Sequence, residues 1–192
     1  MDAATDTRER IIQAAEDSLR RFGSEKTNVV DVARALGMSH ANVYRHFRSK
    51  ADLLDTVAAR WLHMISDPLT EIVEAKGDAA GRLQRWFRAL FDTKRRMVRN
   101  DPELFATYHR VAEASRSVVA AHIAELEGQI AHILRDGVAA GTFVTVDPSR
   151  TASVLFAATT AFHHPHFVMA RAPDPGEADA VVDLLIRGLK SS

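Results

Sequence analysis

Two stretches of this chain gather side chains able to do chemistry, and they gather different kinds. From Thr27 to Lys50 stand Thr27, Asn28, Ser39, His40, Asn42, Tyr44, His46 and Lys50, a set rich in hydrogen-bonding groups. Asn can bond an adenine edge bidentately, while Tyr, Ser and Lys commonly hold phosphate oxygens. The second stretch is Phe162-His163-His164-Pro165-His166-Phe167, with three imidazoles inside four residues. Such a cluster invites zinc or nickel. Pro165 interrupts a helix there, so His163 and His166 need not share a face, and the segment holds no carboxylate. A pocket hydrogen bond or a pH-sensitive contact is the better expectation, with no metal.

Two further polar residues sit on apolar stripes. Lys94 lies four residues after Leu90 and three before Met97, so its stem crosses an apolar face. Its ammonium either snorkels to water or pairs with an anionic effector or an internal carboxylate. His109, between Phe105 and Ala112, poses the same question.

Catalysis finds little support. Glu-x-x-His pairs for a di-iron bundle are absent, as are G-x-S-x-G, H-E-x-x-H, the P-loop and the dinucleotide fingerprint. With no cysteine there is no thiol nucleophile, disulfide framework or zinc knuckle. Nothing asks for a cofactor, and the expectation is a protein that is not an enzyme. Hydrophobic residues at 46% and charged residues at 26% of 192 suit a globular protein with a real core. No apolar run approaches a membrane span. The start, with Asp2 and Asp6, does not read as a secretory signal, so a cytoplasmic protein is expected. Net charge is zero, yet residues 20–50 hold seven Lys or Arg against Glu25 and Asp31, a local +5. A basic segment on a balanced chain suggests contact with a polyanion.

The elements that must position these groups are helices. Asp6 and Glu9 form a capping-box pattern before a stripe at Ile11, Ile12, Ala15, Leu19 and Phe22, and Gly23 closes it. Asp-Pro steps at 67–68, 101–102, 147–148 and 174–175 read as helix starts, although Asp67-Pro68 could instead kink one long helix. Helical apolar spacing runs through Leu53–Ile65, Leu83–Val98, Phe105–Ala112 and Val119–Leu134, the last closed by Gly137 or Gly141. Val154–Phe167 is apolar on most faces, and Val181–Leu189 makes a final stripe. Thr142–Val146 is the one short strand candidate. The expected fold is all-α with about nine helices: a three-helix head over 1–50, and a helical bundle over 51–192.

Within the head, residues 29–47, VVDVARALGMSHANVYRHF, carry the most specific pattern. Ala33 is small where a second helix presses on the first, and Gly37 sits where the chain must turn. Val32, Leu36, Met38 and Val43 supply a small core. Asn28 and Ser39 suit helix N-caps, and Ser49 with Asp52 caps the next helix. This is a helix-turn-helix.

The run from Thr7 to about Trp61 resembles the DNA-binding head of TetR-family regulators, including its Tyr44-x-x-Phe47-x-x-Lys50 element. The remainder matches that family in general plan only. The resemblance implies that the third helix, Ser39–Phe47, enters the major groove of double-stranded operator DNA. It implies backbone-phosphate contacts from Thr27, Asn28, Tyr44 and Lys50, and helix N-termini favour phosphate on physical grounds too. His40 and Asn42 are first choices for base contact; His46 is either a contact or structural, and Phe47 belongs to the core. The family plan also implies a homodimer through the last two helices, about Pro148–Arg171 and Pro175–Lys190, where Ala152, Ala157, Ala158 and Ala161 allow close approach. Two recognition helices must meet grooves roughly 34–36 Å apart. A small-molecule effector is expected between body helices. Candidate ligand contacts are Trp61, Phe91, Lys94, Phe105, Tyr108, His109, Phe162, His163 and His166, with Trp86, Phe87 and Phe167 as further walls, though core packing competes at each aromatic. An architectural DNA-binding protein without an effector is the alternative, and the aromatic-rich body counts against it.

Overall fold

The computed structural model describes residues 3–144, 147–171 and 174–190. Among them are eleven helical segments: α1 (Ala3–Lys26), α2 (Val29–Ala35), α3 (His40–Tyr44), α4 (Lys50–Glu74), α5 (Ala79–Asn100), α6 (Pro102–Ala114), α7 (Arg116–Ala139), α8 (Pro148–Ala158), α9 (Thr160–His163), α10 (Pro165–Arg171) and α11 (Pro175–Leu189). The excess over nine has a local origin. The run expected as one helix over 148–171 is three pieces. At Thr159 the backbone N–H and hydroxyl both bond back to Leu155 and Phe156 carbonyls, and Pro165 removes a donor just after the next break.

The Asp-Pro steps divide as their chemistry allows. Pro102, Pro148 and Pro175 each open a helix, whereas Pro68 lies inside α4. The Asp147 carboxylate accepts from the N–H groups of Ser149 and Arg150, as an N-cap should. The capping box at Asp6 is corrected, because α1 already begins at Ala3 and Asp6 falls within its first turn. Gly23 does break the helical path, with φ of 76°. Phe22, expected on the buried stripe, is exposed. The proposed strand reduces to an isolated bridge between Phe143 and Lys190; Thr145 and Val146 lie outside the described residues.

The described chain divides into two compact units. One comprises residues up to Leu62 together with Glu103–Ala120. Its core joins Ile11, Leu19, Val32, Val43, Phe47 and Leu53, all buried. Arg60 of α4 pairs with Glu9 and, at 3.3 Å, with Glu16 of α1. The Ser115 hydroxyl donates to Asp55 of α4 at 2.5 Å. Trp61 stacks on Tyr108, with ring centres 5.4 Å apart, and meets the Phe105 ring edge-on.

The other unit comprises His63–Pro102 and the residues from Ala121 onward. Leu83, Trp86 and Leu90 of α5 and Leu126, Ile130 and Ile133 of α7 are all buried. Gln129 ties three helices: it accepts from the Trp86 indole at 2.8 Å and donates to the Ser66 carbonyl and Thr70 hydroxyl of α4. The buried Arg82 guanidinium donates to the carbonyls of Val73 and Ala75 at the end of α4, and to Asp136 at 2.6 Å. Those carbonyls would otherwise lack intrahelical partners. Of the two glycines expected to close α7, Gly137 lies within it, where a Cβ would overlap the Phe143 ring, and Gly141, at φ of 71°, follows its last residue, Ala139.

Candidate nucleic-acid interface and sensing site

The head's polar groups are organised first by backbone needs. The Asn28 side chain accepts from the Asp31 N–H at 2.8 Å and so caps α2. Ser39 caps α3 by accepting from the Asn42 N–H at 3.3 Å. Gly37, at φ of 65°, lets the chain reverse between the two helices, and the Met38 N–H returns to the Ala33 carbonyl. Ser49 accepts from the Asp52 N–H while the Asp52 carboxylate accepts from the Arg48 N–H, a reciprocal pair that starts α4. Val43 and Phe47 are buried, and the Arg8 guanidinium lies 4.9 Å over the Phe47 ring.

These constraints decide what α3 presents. His40, Ala41, Tyr44 and Arg45 are exposed, with Tyr44 at 46%. His40 and Tyr44, four residues apart, meet edge to face at 6.4 Å. Asn42 is half-buried and points its amide toward the Met38 sulfur at 3.7 Å. It stands about 200° around the helix from His40, so the two expected base readers do not share a face. His46 and Lys50 are half-buried, while Arg48 is exposed. Ala41, Arg45 and Arg48 were not singled out from the sequence; the two arginines were visible there only as part of the basic surplus.

Thr27 requires a correction. It is only 2% exposed; its hydroxyl donates to the Gly23 carbonyl at 2.8 Å and accepts from Ser18. That hydroxyl closes the α1–α2 turn rather than offering itself to phosphate. Asn28 is exposed, though its amide also donates to Asp31.

The expected ligand contacts separate into the two units. Trp61, Phe105 and Tyr108 form the aromatic trio of the first. Burial, aided by the nearby Glu16 charge, pushes the Tyr108 hydroxyl up to about 12. His109 is half-buried on α6, with Nε2 3.4 Å from the Glu113 carboxylate. Phe91, Lys94, Phe162 and His163 belong to the second unit, where all four are buried. His163 lies between the Phe156 ring at 4.1 Å and the Phe91 ring at 6.3 Å, roughly parallel to both. Its Nε2–H donates to the Phe156 carbonyl at 3.0 Å. His166 and Phe167 are exposed, which removes both from any enclosed wall. Pro165 therefore separates the histidines by environment, and no group of three metal-capable His or carboxylate side chains occurs among the described residues.

Lys94 is buried, at 6% exposed, and burial lowers its ammonium to about 8. His122 of α7, not singled out from the sequence, is 7% exposed with neither ring nitrogen hydrogen-bonded. Its position four residues before Leu126, on the buried face of α7, was the available signal. Burial foremost, together with the Lys94 charge, lowers His122 to about 4 and His163 to about 3. A cleft of about 120 Å³ opens beside Phe91 and Phe162, with Val168 and Ala178 in its wall. Arg88, paired with Asp179, and Arg95, paired with Asp92, also line it.

An all-helical chain carrying a capped helix-turn-helix and a second helical unit has the plan of a DNA-binding regulator. Residues 11–57 match the model for bacterial regulatory proteins of the tetR family, and residues 79–183 match the tetracyclin repressor-like C-terminal domain. The chain belongs to the TetR family of transcriptional regulators. It is 31% identical over 77 residues to the HTH-type transcriptional regulator TtgR of Pseudomonas putida, a match spanning 40% of this chain and 36% of that protein. A TetR-family regulator from Mesorhizobium loti superimposes with a TM-score of 0.75 at 22% identity, covering 100% of both chains. SmeT, the repressor of the Stenotrophomonas maltophilia multidrug efflux pump SmeDEF, gives 0.71 at 19% identity, covering 100% of this chain and 94% of that one. These two likenesses establish the fold.

Proposed function

We propose that the protein is a cytoplasmic, homodimeric repressor that binds a palindromic operator and leaves it when a small molecule occupies its body. The observation that carries this reading is the outer face of α3. His40, Ala41, Tyr44 and Arg45 stand exposed on a short helix whose core, caps and preceding turn are all satisfied within the head. Such a face needs no rearrangement to enter a major groove. Its chemistry suits a duplex, with imidazole for base edges, a methyl group for thymine, and a phenol and a guanidinium for phosphate or guanine. Asn28, Ser39, His46 and Lys50 flank it as backbone contacts, and Asn42 is a second-rank reader.

Residues 1–50 serve as the DNA-binding part and 51–192 as the sensing and dimerising part. Apolar side chains left exposed on the last helices support a homodimer there: Val154 on α8, Phe167 and Met169 on α10, and Leu184 on α11. Ala157, Ala158 and Ala161 are exposed as well, whereas Ala152 is buried within the subunit. No helix among the described residues is long and apolar enough to cross a membrane. For signalling, α4 starts with Lys50 in one unit and ends with Glu74 in the other, and Arg60 fastens it to α1. A ligand that prefers one of two α4 positions would shift operator affinity, typically by about 1–3 kcal/mol.

The test is a selection of bound genomic DNA fragments with the purified protein at physiological salt. Enrichment of a palindrome with half-sites about one turn apart is expected. Salt-sensitive binding without enrichment would replace this reading with the architectural one.

A further inference from the structure

Arg8 is remote in sequence from the stretch between Thr27 and Lys50, yet the fold carries its guanidinium there. The group lies 4.9 Å over the ring of Phe47. Phe47 is 2% exposed and forms the joint between α3 and α4. Its N–H returns to the Val43 carbonyl, and the paired bonds of Arg48, Ser49 and Asp52 that start α4 follow directly. Tyr44 stands three residues before Phe47 and Lys50 three after it. Arg8 is exposed, so a guanidinium over that buried ring marks the side of Phe47 turned toward solvent.

The positive charge at this place has no use inside the head. A cover for the Phe47 ring needs apolar surface only. The structure gives Arg8 no ion pair among the described residues, unlike Arg34 with Asp31 and Arg60 with Glu9 and Glu16. The neighbouring acids are directed elsewhere. Glu9 meets Arg60, and Asp52 accepts from the Arg48 N–H. Asp6, two residues earlier on α1, stands about 200° around the helix from Arg8. A guanidinium held by its face against a ring keeps the N–H groups of its edge available. Arg8 is therefore positioned and unspent at once. Beside it begins α4, a long helix whose first N–H groups favour an anion.

We propose that Arg8 of α1 is a further DNA contact, donating to a backbone phosphate next to the start of α4, so that the head holds the duplex with its first helix as well as with α3. This rests on the outer face of α3 entering a major groove, and it adds a contact and the device that presets it. The Phe47 ring fills the core on one side and orients the guanidinium on the other, so little side-chain freedom is lost on binding. A phosphate contact carries no sequence information of its own. Its effect is to fix the register in which His40 and Arg45 meet the bases.

The experiment is fluorescence anisotropy of the full chain with a labelled mixed-sequence duplex of about 30 base pairs, from about 50 to about 200 mM KCl. The parent is compared with Arg8→Met, which keeps an apolar cover over Phe47. Arg10→Met is the control, removing an equal charge from an exposed residue about 200° around α1 from Arg8. Arg8→Met is expected to bind about three- to tenfold more weakly, with a log–log salt slope shallower by about 0.9 for each head engaged. Arg10→Met is expected to keep the slope of the parent. Equal losses in the two variants overturn the proposal, since they report net charge rather than contact. A lower melting temperature in Arg8→Met with unchanged affinity and slope also overturns it, leaving Arg8 as a cover for Phe47. If Arg8→Met does not fold, NMR of the unaltered protein decides instead. The Arg8 Nε–H signal must move when duplex is added, and an unmoved signal overturns the contact. A parent that binds no duplex at any salt removes the DNA-reading face of α3 as well; a parent that binds while Arg8→Met matches it removes the Arg8 contact alone.

Discussion

In the head, His40, Tyr44 and Arg45 face water, and the polar groups around them are engaged in capping and turning the backbone. In the body, Lys94, His122 and His163 are buried, and neither ring nitrogen of His122 has a hydrogen-bond partner. The first arrangement stores nothing, because exposed side chains remain hydrated until DNA replaces the solvent. The second holds unfavourable free energy, because burial disfavours the charged forms of all three groups. That contrast has measurable consequences.

The largest lies in acid. Unfolded, His122 and His163 take up protons near pH 6.5, while the folded protein resists until about 4 and about 3. Bases held below their unfolded values bind fewer protons when folded, so stability is full above 6.5 and falls as pH drops through that window. Each unit of separation is worth about 1.4 kcal/mol. Urea unfolding from pH 7 to pH 4 should show a loss of about 3 kcal/mol from each histidine, and His122→Phe should remove its share. A stability curve unchanged by His122→Phe would mean that this ring is not enclosed as described.

Next comes Lys94. Its ammonium sits at about 8 against an ordinary 10.5, so the folded state is penalised below 8 and stability rises as pH climbs from 8 to 10.5. Lys94→Met should raise stability at pH 7 by about 3 kcal/mol and flatten that rise. Equal melting temperatures for the variant and the parent at pH 7 would show that Lys94 reaches water or an acid, and the contrast would fail.

On the head, effects should fall on binding rather than on folding. His40→Ala and Arg45→Ala should leave unfolding unchanged within about 0.5 kcal/mol. At the operator, His40→Ala should relax preference at one position by about 1–3 kcal/mol. Arg45→Ala should either do likewise or weaken all sequences with a salt slope shallower by about 1. Asn42→Ala should change preference less than His40→Ala, since Asn42 lies toward Met38; a larger effect would reverse which face of α3 reads DNA. The smallest change belongs to Asn28→Ala, a cap loss of about 1 kcal/mol, visible in thermal melts.

The sequence alone determined that the protein is all-helical, where its turn between α2 and α3 falls, and which residues cap the two helices. Those features depend on neighbours within four residues: Asn28 on Asp31, Ser39 on Asn42, and Gly37 on its own backbone angle. Local rules written in spacing suffice for them. They left Asp67-Pro68 open between a helix start and a place inside one long helix, and misled over 148–171 and in placing the start of α1. Only the tertiary structure decided that the Thr27 hydroxyl is spent inside the head, that Trp61 and Lys94 belong to different units, and that Asn42 and His40 face apart. It alone made His122 the companion of Lys94, from residues 28 positions apart in sequence. The reason is that burial and charge act through space, and helical periodicity says which face turns inward without saying what that face meets.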